Sequence, residues 1–169
     1  MGTNQKKTST TFPLFCVATL KSKAGLLIAT GWKLGYFKSA PGTLGSLASL
    51  LIWAPCVLWG LSPWLRFCLV LIVFLIGWWA TFQALPQFKS QDPKEIIIDE
   101  VAGQGLALVL CPASWPALWI GFVLFRLFDI FKPWPISFID RQMKSALGVM
   151  LDDMLAGFFV ILLIGVLCS

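Results

Sequence analysis

The chain has no histidine, and Asp, Glu, Lys and Arg together make up only 12% of its 169 residues. Without imidazole there is no phosphohistidine intermediate, no histidine acid/base pair and no usual nitrogen ligand for zinc. Lipid phosphatases that depend on histidine are excluded. Five cysteines, Cys16, Cys56, Cys68, Cys111 and Cys168, are an odd number and show no C-x-x-C spacing. None begins a Cys-x5-Arg phosphatase loop, because Ser22, Ser62, Phe74 or Ala117 stands six positions on. They read as small buried hydrophobes. An Asp-x-Asp nucleophile motif is absent, and so is the spaced Asp-Gly and Ala-Arg signature of the CDP-alcohol transferases.

What is present is apolar: 58% of residues are hydrophobic and nine are tryptophan. A soluble domain of this length could not hide that much apolar surface. No strand-like alternation supports a closed barrel, so the expected class is all-α, a membrane-embedded helical bundle. The net charge of +5 suits contact with anionic membrane lipids. The bases are dispersed between apolar runs and form no stripe, which argues against nucleic acid as a partner.

Residues 1–24 read as a disordered or interfacial segment, with an interfacial helix expected between Phe12 and Trp32. Thr11 to Leu20 has the look of a signal peptide. However, Lys21 and Lys23 interrupt it and no Ala-x-Ala site follows, so this end is expected to be retained. Five spans are expected: Leu44 to Leu61, Phe67 to Leu85, Glu95 to Leu110, Ala117 to Phe131 and Val149 to Leu167. Cys111-Pro112 and Trp115-Pro116 make the turn between the third and fourth. A kinked or re-entrant segment over 96–128 is the alternative. With the amino terminus cytoplasmic, residues 1–43, 86–95 and 132–148 and the helix end at Arg126 hold every basic residue except Arg66. The same layout puts every carboxylate on the cytoplasmic face and Trp59, Trp64, Trp115 and Trp119 in an outer aromatic belt.

Three constellations carry chemistry. In GYFKSAPGTLGS, Gly35 to Ser46, Pro41-Gly42 marks a turn, and Thr43, Ser46, Lys38 and a helix start offer an anion site. The plainer reading is a capped turn into the membrane. In IIIDEVAGQG, Asp99 and Glu100 precede Gly103 by four and three residues, so the glycine lies on nearly the same helix face. LDDMLAG repeats the device with Asp152, Asp153 and Gly157. Two helices that meet through these glycines would gather four carboxylates, whose repulsion calls for a cation. Oxygen donors without histidine favour Mg²⁺, with Mn²⁺ as a substitute. Taken singly, each acid pair is also what a solvated helix start looks like.

In FRLFDIFKPWPISFIDR, residues 125–141, Arg126 and Asp129 share a face, and Lys132 follows before Pro133 and Pro135 stop the helix. Asp129 suits a metal, while Arg126, Lys132 and Arg141 suit phosphate oxygens. An Arg126/Asp129 ion pair with anchoring bases is the alternative, and it applies also to Asp140, Arg141 and Lys144.

In order and spacing, the strings APGTLGS, IIIDEVAG, FRLFDIFKPWPISFIDR and LDDMLAG resemble the phosphatidylglycerophosphatase A family, within about residues 25–160. The resemblance implies an α-helical, Mg²⁺-dependent enzyme of the bacterial inner membrane that hydrolyses phosphatidylglycerophosphate to phosphatidylglycerol and phosphate in phospholipid biosynthesis. Residues 25–169 would form the membrane-embedded phosphatase domain, with its site on the cytoplasmic face. From chemistry, the expected catalytic acids are Asp99, Glu100, Asp129, Asp152 and Asp153. Metal ligands are expected among Asp99, Glu100, Asp129 and Asp153, and phosphate ligands among Lys38, Thr43, Ser46, Arg126, Lys132 and Arg141. A small membrane cation carrier and a non-catalytic lipid-binding protein are the competing readings.

Overall fold

Proline and serine set most of the helix starts. In the computed structural model, which describes residues 22–37, 40–90 and 92–167, all regular structure among the described residues is helical. Helix α1 covers residues 22–29, and a short 3-10 turn follows at Leu34–Tyr36. Helix α2, Pro41–Leu58, begins on a proline whose missing N–H costs nothing there. Helix α3, Pro63–Ala84, begins the same way, with the Ser62 hydroxyl accepting from Leu65 N at 3.3 Å. Helix α4 is Ile98–Ala107. Helix α5, Trp115–Phe131, is capped by Ser114, which accepts from Ala117 N, and ends at Lys132 in the left-handed region. Helices α6, Ile136–Gln142, and α7, Ala146–Leu167, close the chain.

Among the described residues, three helical segments are long and apolar enough to cross a membrane: Pro41–Leu58, Pro63–Gln87 and Ala146–Gly165. The expected third span differs most from its reading. Helix α4 has ten residues, about 15 Å of rise, which is half a hydrocarbon core. The apolar run continues to Leu110, but the helix stops because Leu108 to Leu110 form a turn and Pro112 follows. The turn before α5 thus forms where the prolines place it. Arg66, the exception in the charge pattern, explains how that turn is held. Its guanidinium is buried and donates to Leu61 O at 2.8 Å, Leu108 O at 3.2 Å and Cys111 O at 3.0 Å. The charge thereby answers the carbonyl end of α4.

Helix α4 is the centre of the bundle, packed on α7, α2, α3 and α5. Gly105 lets the Trp53 ring lie against it, and the indole N–H donates to Val101 O at 2.9 Å. On the Arg66 side the core is formed by Leu50, Trp53, Val57, Val70, Leu108 and Leu118. Outward-facing side chains of α3, including Leu71, Ile72, Leu75, Ile76 and Phe82, are exposed, as a lipid-facing surface requires. Trp59, Trp64, Trp115 and Trp119 are exposed too. The expected interfacial helix falls partly outside the described residues. Its described part, α1, packs inward, with Ala29 buried against Ala80 and Ala84.

Candidate active site

Arg126 gathers three helices. From α5 its Nη1 donates to Ser46 Oγ of α2 at 3.0 Å, to Glu100 Oε1 of α4 at 3.2 Å, and to Asp129 Oδ2 one turn along α5. The glycines of APGTLGS make this approach feasible. A Cβ at Gly42 would stand 2.5 Å from Glu100 Oε1, and one at Gly45 would collide with Glu100 Oε2. Small residues at the start of α2 therefore serve to seat a buried carboxylate and its arginine. The N-terminus of α2, which has no side-chain cap, lies beside that arginine.

Lys132 gathers the next two elements. Its Nζ donates to Asp152 Oδ2 of α7 at 2.6 Å and to Asp140 Oδ1 of α6 at 3.0 Å. Lys144 approaches the same Asp140 oxygen at 3.9 Å. Partial burial disfavours the ammonium charge, but Asp152 and Asp140 outweigh it and hold the Lys132 pKa above its ordinary value. The left-handed backbone of Lys132 turns the chain out of α5 at this point.

The two hubs are joined by α4 and α7, whose backbones meet at the paired glycines. A Cβ at Gly103 would stand 2.5 Å from Asp153 O, and one at Gly157 would collide with Gly103 O. This contact brings Asp153 within electrostatic reach of Asp129, Asp99, Asp152 and Glu100. Asp99 similarly feels Asp152 and Asp129. Among the described residues Asp99 and Asp153 have no basic partner, whereas Glu100, Asp129 and Asp152 do. Glu100 Oε2 is buried without a hydrogen bond. A surplus of carboxylate oxygen, without nitrogen or sulfur donors, suits a hard divalent cation. Among the described residues, no group of three or more such side chains is already arranged to hold a metal.

The remaining expected residues are placed as follows. Ser46 is fully buried and braces Arg126. Thr43 is exposed on the first turn of α2. Arg141 is exposed on α6, outside the ion-pair network among the described residues. Lys38 lies outside the described residues. The sequence reading missed Gln104, which is 0% exposed one turn beyond Glu100. The available signal was a lone amide in the apolar run VAGQGLALVL.

The chain matches the phosphatidylglycerophosphatase A family over residues 27–168. It belongs to that family. Membership makes it a phosphatase, and the residues of both hubs fall inside the matched region. Phosphatidylglycerophosphatase A of Escherichia coli is 35% identical over 133 residues, 78% of this chain and 76% of the relative. The protein of the same name from Haemophilus influenzae is 33% identical over 140 residues, 82% and 85% of the two chains. A Bacteroides thetaiotaomicron protein with the provisional name phosphatidylinositol-3-phosphatase is 35% identical over 149 residues, 83% and 91%. No solved structure matches.

Proposed function

We propose that the protein hydrolyses phosphatidylglycerophosphate to phosphatidylglycerol and phosphate, a step of phospholipid biosynthesis, at the cytoplasmic face of a bacterial inner membrane. The observation that carries this reading is the convergence of carboxylates from α4, α5 and α7 around two basic hubs, with Asp99 and Asp153 left without a base among the described residues. Helix ends bearing acids meet at one end of the bundle, beside lipid-facing helices, where a lipid phosphate would stand with its acyl chains in the membrane. The positive-inside pattern supports placing that end, and the amino terminus, in the cytoplasm. We read α4 and α5 as a membrane-inserted hairpin between the longer helices, which brings the inserted elements to five.

Hydrolysis requires a water oxygen to bond to phosphorus, the ester oxygen to leave with the diacyl alcohol, and one proton to pass from water to that oxygen. Arg126 provides a planar donor set for phosphoryl oxygens, and its existing bonds to Ser46, Glu100 and Asp129 hold it in place. Lys132 adds positive charge beside Asp152. One carboxylate of the cluster that is not engaged with the ion would take the proton from water. Asp99, Glu100, Asp129 and Asp153 are the residues that would hold Mg²⁺, or Mn²⁺ in its place. When bound, the ion offsets carboxylate repulsion and polarises the phosphoryl group.

A cation carrier would need polar side chains along a path through the bundle, but beyond Gln104 the described core is apolar up to Arg66. The test is phosphate release from defined lipids by the purified protein in detergent, before and after chelation and Mg²⁺ return. Release from phosphatidylglycerophosphate that depends on the ion supports the reading, while release from neither this lipid nor phosphatidylinositol 3-phosphate defeats it. Preference for the inositol lipid would move the substrate toward the one in the name of the Bacteroides relative.

A further inference from the structure

Four buried side-chain atoms lack a hydrogen-bond partner among the described residues, and all belong to three neighbouring residues: Glu100 Oε2, Arg126 Nε, and Gln104 Oε1 and Nε2. Gln104 is 0% exposed and Glu100 8%. Gln104 lies one helical turn past Glu100, on the face of α4 whose Ile97, Glu100 and Val101 meet α2. Glu100 in turn is bonded to Arg126. Buried polar groups in folded proteins are nearly always bonded, so adjacent exceptions mark a place that something else fills.

The chemistry of the orphans defines what fills it. A carboxylate oxygen accepts, a guanidinium N–H donates, and the amide does both. A cation on Glu100 Oε2 would still leave Arg126 Nε and the amide unmet, and an anion on Arg126 Nε would leave the acceptor oxygens unmet. A neutral hydroxyl, which donates one hydrogen bond and accepts two, meets one acceptor oxygen and both nitrogen donors, and a water, with two to donate, meets all four.

We propose that Gln104, Glu100 Oε2 and Arg126 Nε line a binding site for one neutral hydroxyl group, deeper in the bundle than the phosphate site. The proposal rests on the reading that Arg126 and Glu100 face a lipid phosphate. Two sources share this chemistry: a resident water, and the free secondary alcohol on the terminal glycerol of the substrate. A resident water would complete the hydrogen bonds that orient Arg126 and Glu100. A substrate alcohol would make the same site a selector for the glycerol headgroup.

The experiment compares the full chain in detergent with Gln104→Met, which keeps the volume and removes both hydrogen-bonding atoms, and with Gln104→Asn, which keeps the amide. Melting temperature without lipid is measured, and kcat/KM on phosphatidylglycerophosphate and on an analogue lacking the secondary hydroxyl. A lower melting temperature in Gln104→Met, partly restored in Gln104→Asn, assigns the site to water. A wild-type preference of at least about tenfold for the hydroxylated lipid, abolished by Gln104→Met, assigns it to the substrate. Gln104→Met melting at or above wild type with no lipid preference lost overturns the proposal, as does a loss that Gln104→Asn shares in full. If the wild type releases no phosphate from either lipid, the functional reading has failed on its own, and the melting comparison still decides whether water occupies the site.

Discussion

At the scale of single residues, the division of acids into paired and unpaired sets the strongest expectation. Arg126 and Lys132 compensate Glu100, Asp129 and Asp152, which leaves Asp99 and Asp153 as the acids of the cluster without a basic partner among the described residues. Asp153→Asn or Asp99→Asn should drop phosphate release to background, a loss of at least about 10²-fold, with membrane insertion intact. Without added ion, either variant should melt at or above wild type, because one repelling charge is gone. Mg²⁺ should raise the wild-type melting temperature and leave that of the variants nearly unmoved. Near-normal turnover in both variants would remove the metal-site argument. Arg126→Met should behave in the opposite sense, destabilising the fold by about 3–5 kcal/mol, since it strands two largely buried carboxylates; denaturant titration in detergent reads this directly. The acids were legible in the sequence because paired carboxylates in so apolar a chain stand out locally. The bracing of Arg126 by Ser46 was not, because those residues are 80 apart in sequence and only the fold joins them. Charge alone makes Lys132 legible as a phosphate ligand, while its bonds to Asp152 and Asp140 come from separate helices and only the fold brings them together.

At the scale of elements, the meeting of α4 and α7 was legible and the length of α4 was not. Spacing alone placed Gly103 and Gly157 on the acid-bearing faces, and the structure seats each glycine against backbone of the opposite helix. Hydrophobic continuity, by contrast, cannot reveal where a helix stops inside an apolar run. That depends on Arg66, 42 residues away from Leu108, collecting the freed carbonyls. Gly157→Ala should force α7 off α4, because its Cβ would collide with Gly103 O and neither backbone can yield. Overpacking of this kind typically costs about 1–3 kcal/mol, and here it also displaces Asp153, which lies one turn from Gly157. The expected result is a lower melting temperature together with a fall in kcat. Gly165→Ala, whose added Cβ has no described atom within 4 Å, should melt and turn over like wild type. Equal behaviour of the two variants would mean that the glycine contact does not position the acids.

At the scale of the whole molecule, the two ends of the bundle differ in chemistry. One end holds the carboxylates of α4, α5 and α7 with their bases, and the other holds exposed Trp59 and Trp64 around the turn between α2 and α3. Charge asymmetry of this kind was visible in the sequence because it needs only the order of loops. The single base that broke the pattern, Arg66, proves to be a buried clamp and so carries no topological signal. The orientation that follows is testable in a cysteine-free background with a thiol reagent that cannot cross membranes. Ser62 is exposed at the tryptophan end, and Ser90 is exposed in the segment between α3 and α4 at the acidic end. Ser62→Cys should label in intact cells, and Ser90→Cys only after the membrane is opened. The reverse pattern would put the carboxylates outside and overturn the proposed cytoplasmic site. Labelling of both in intact cells would mean that α3 does not cross at all, so the two ends of one 22-residue helix test both the crossing and the proposed orientation.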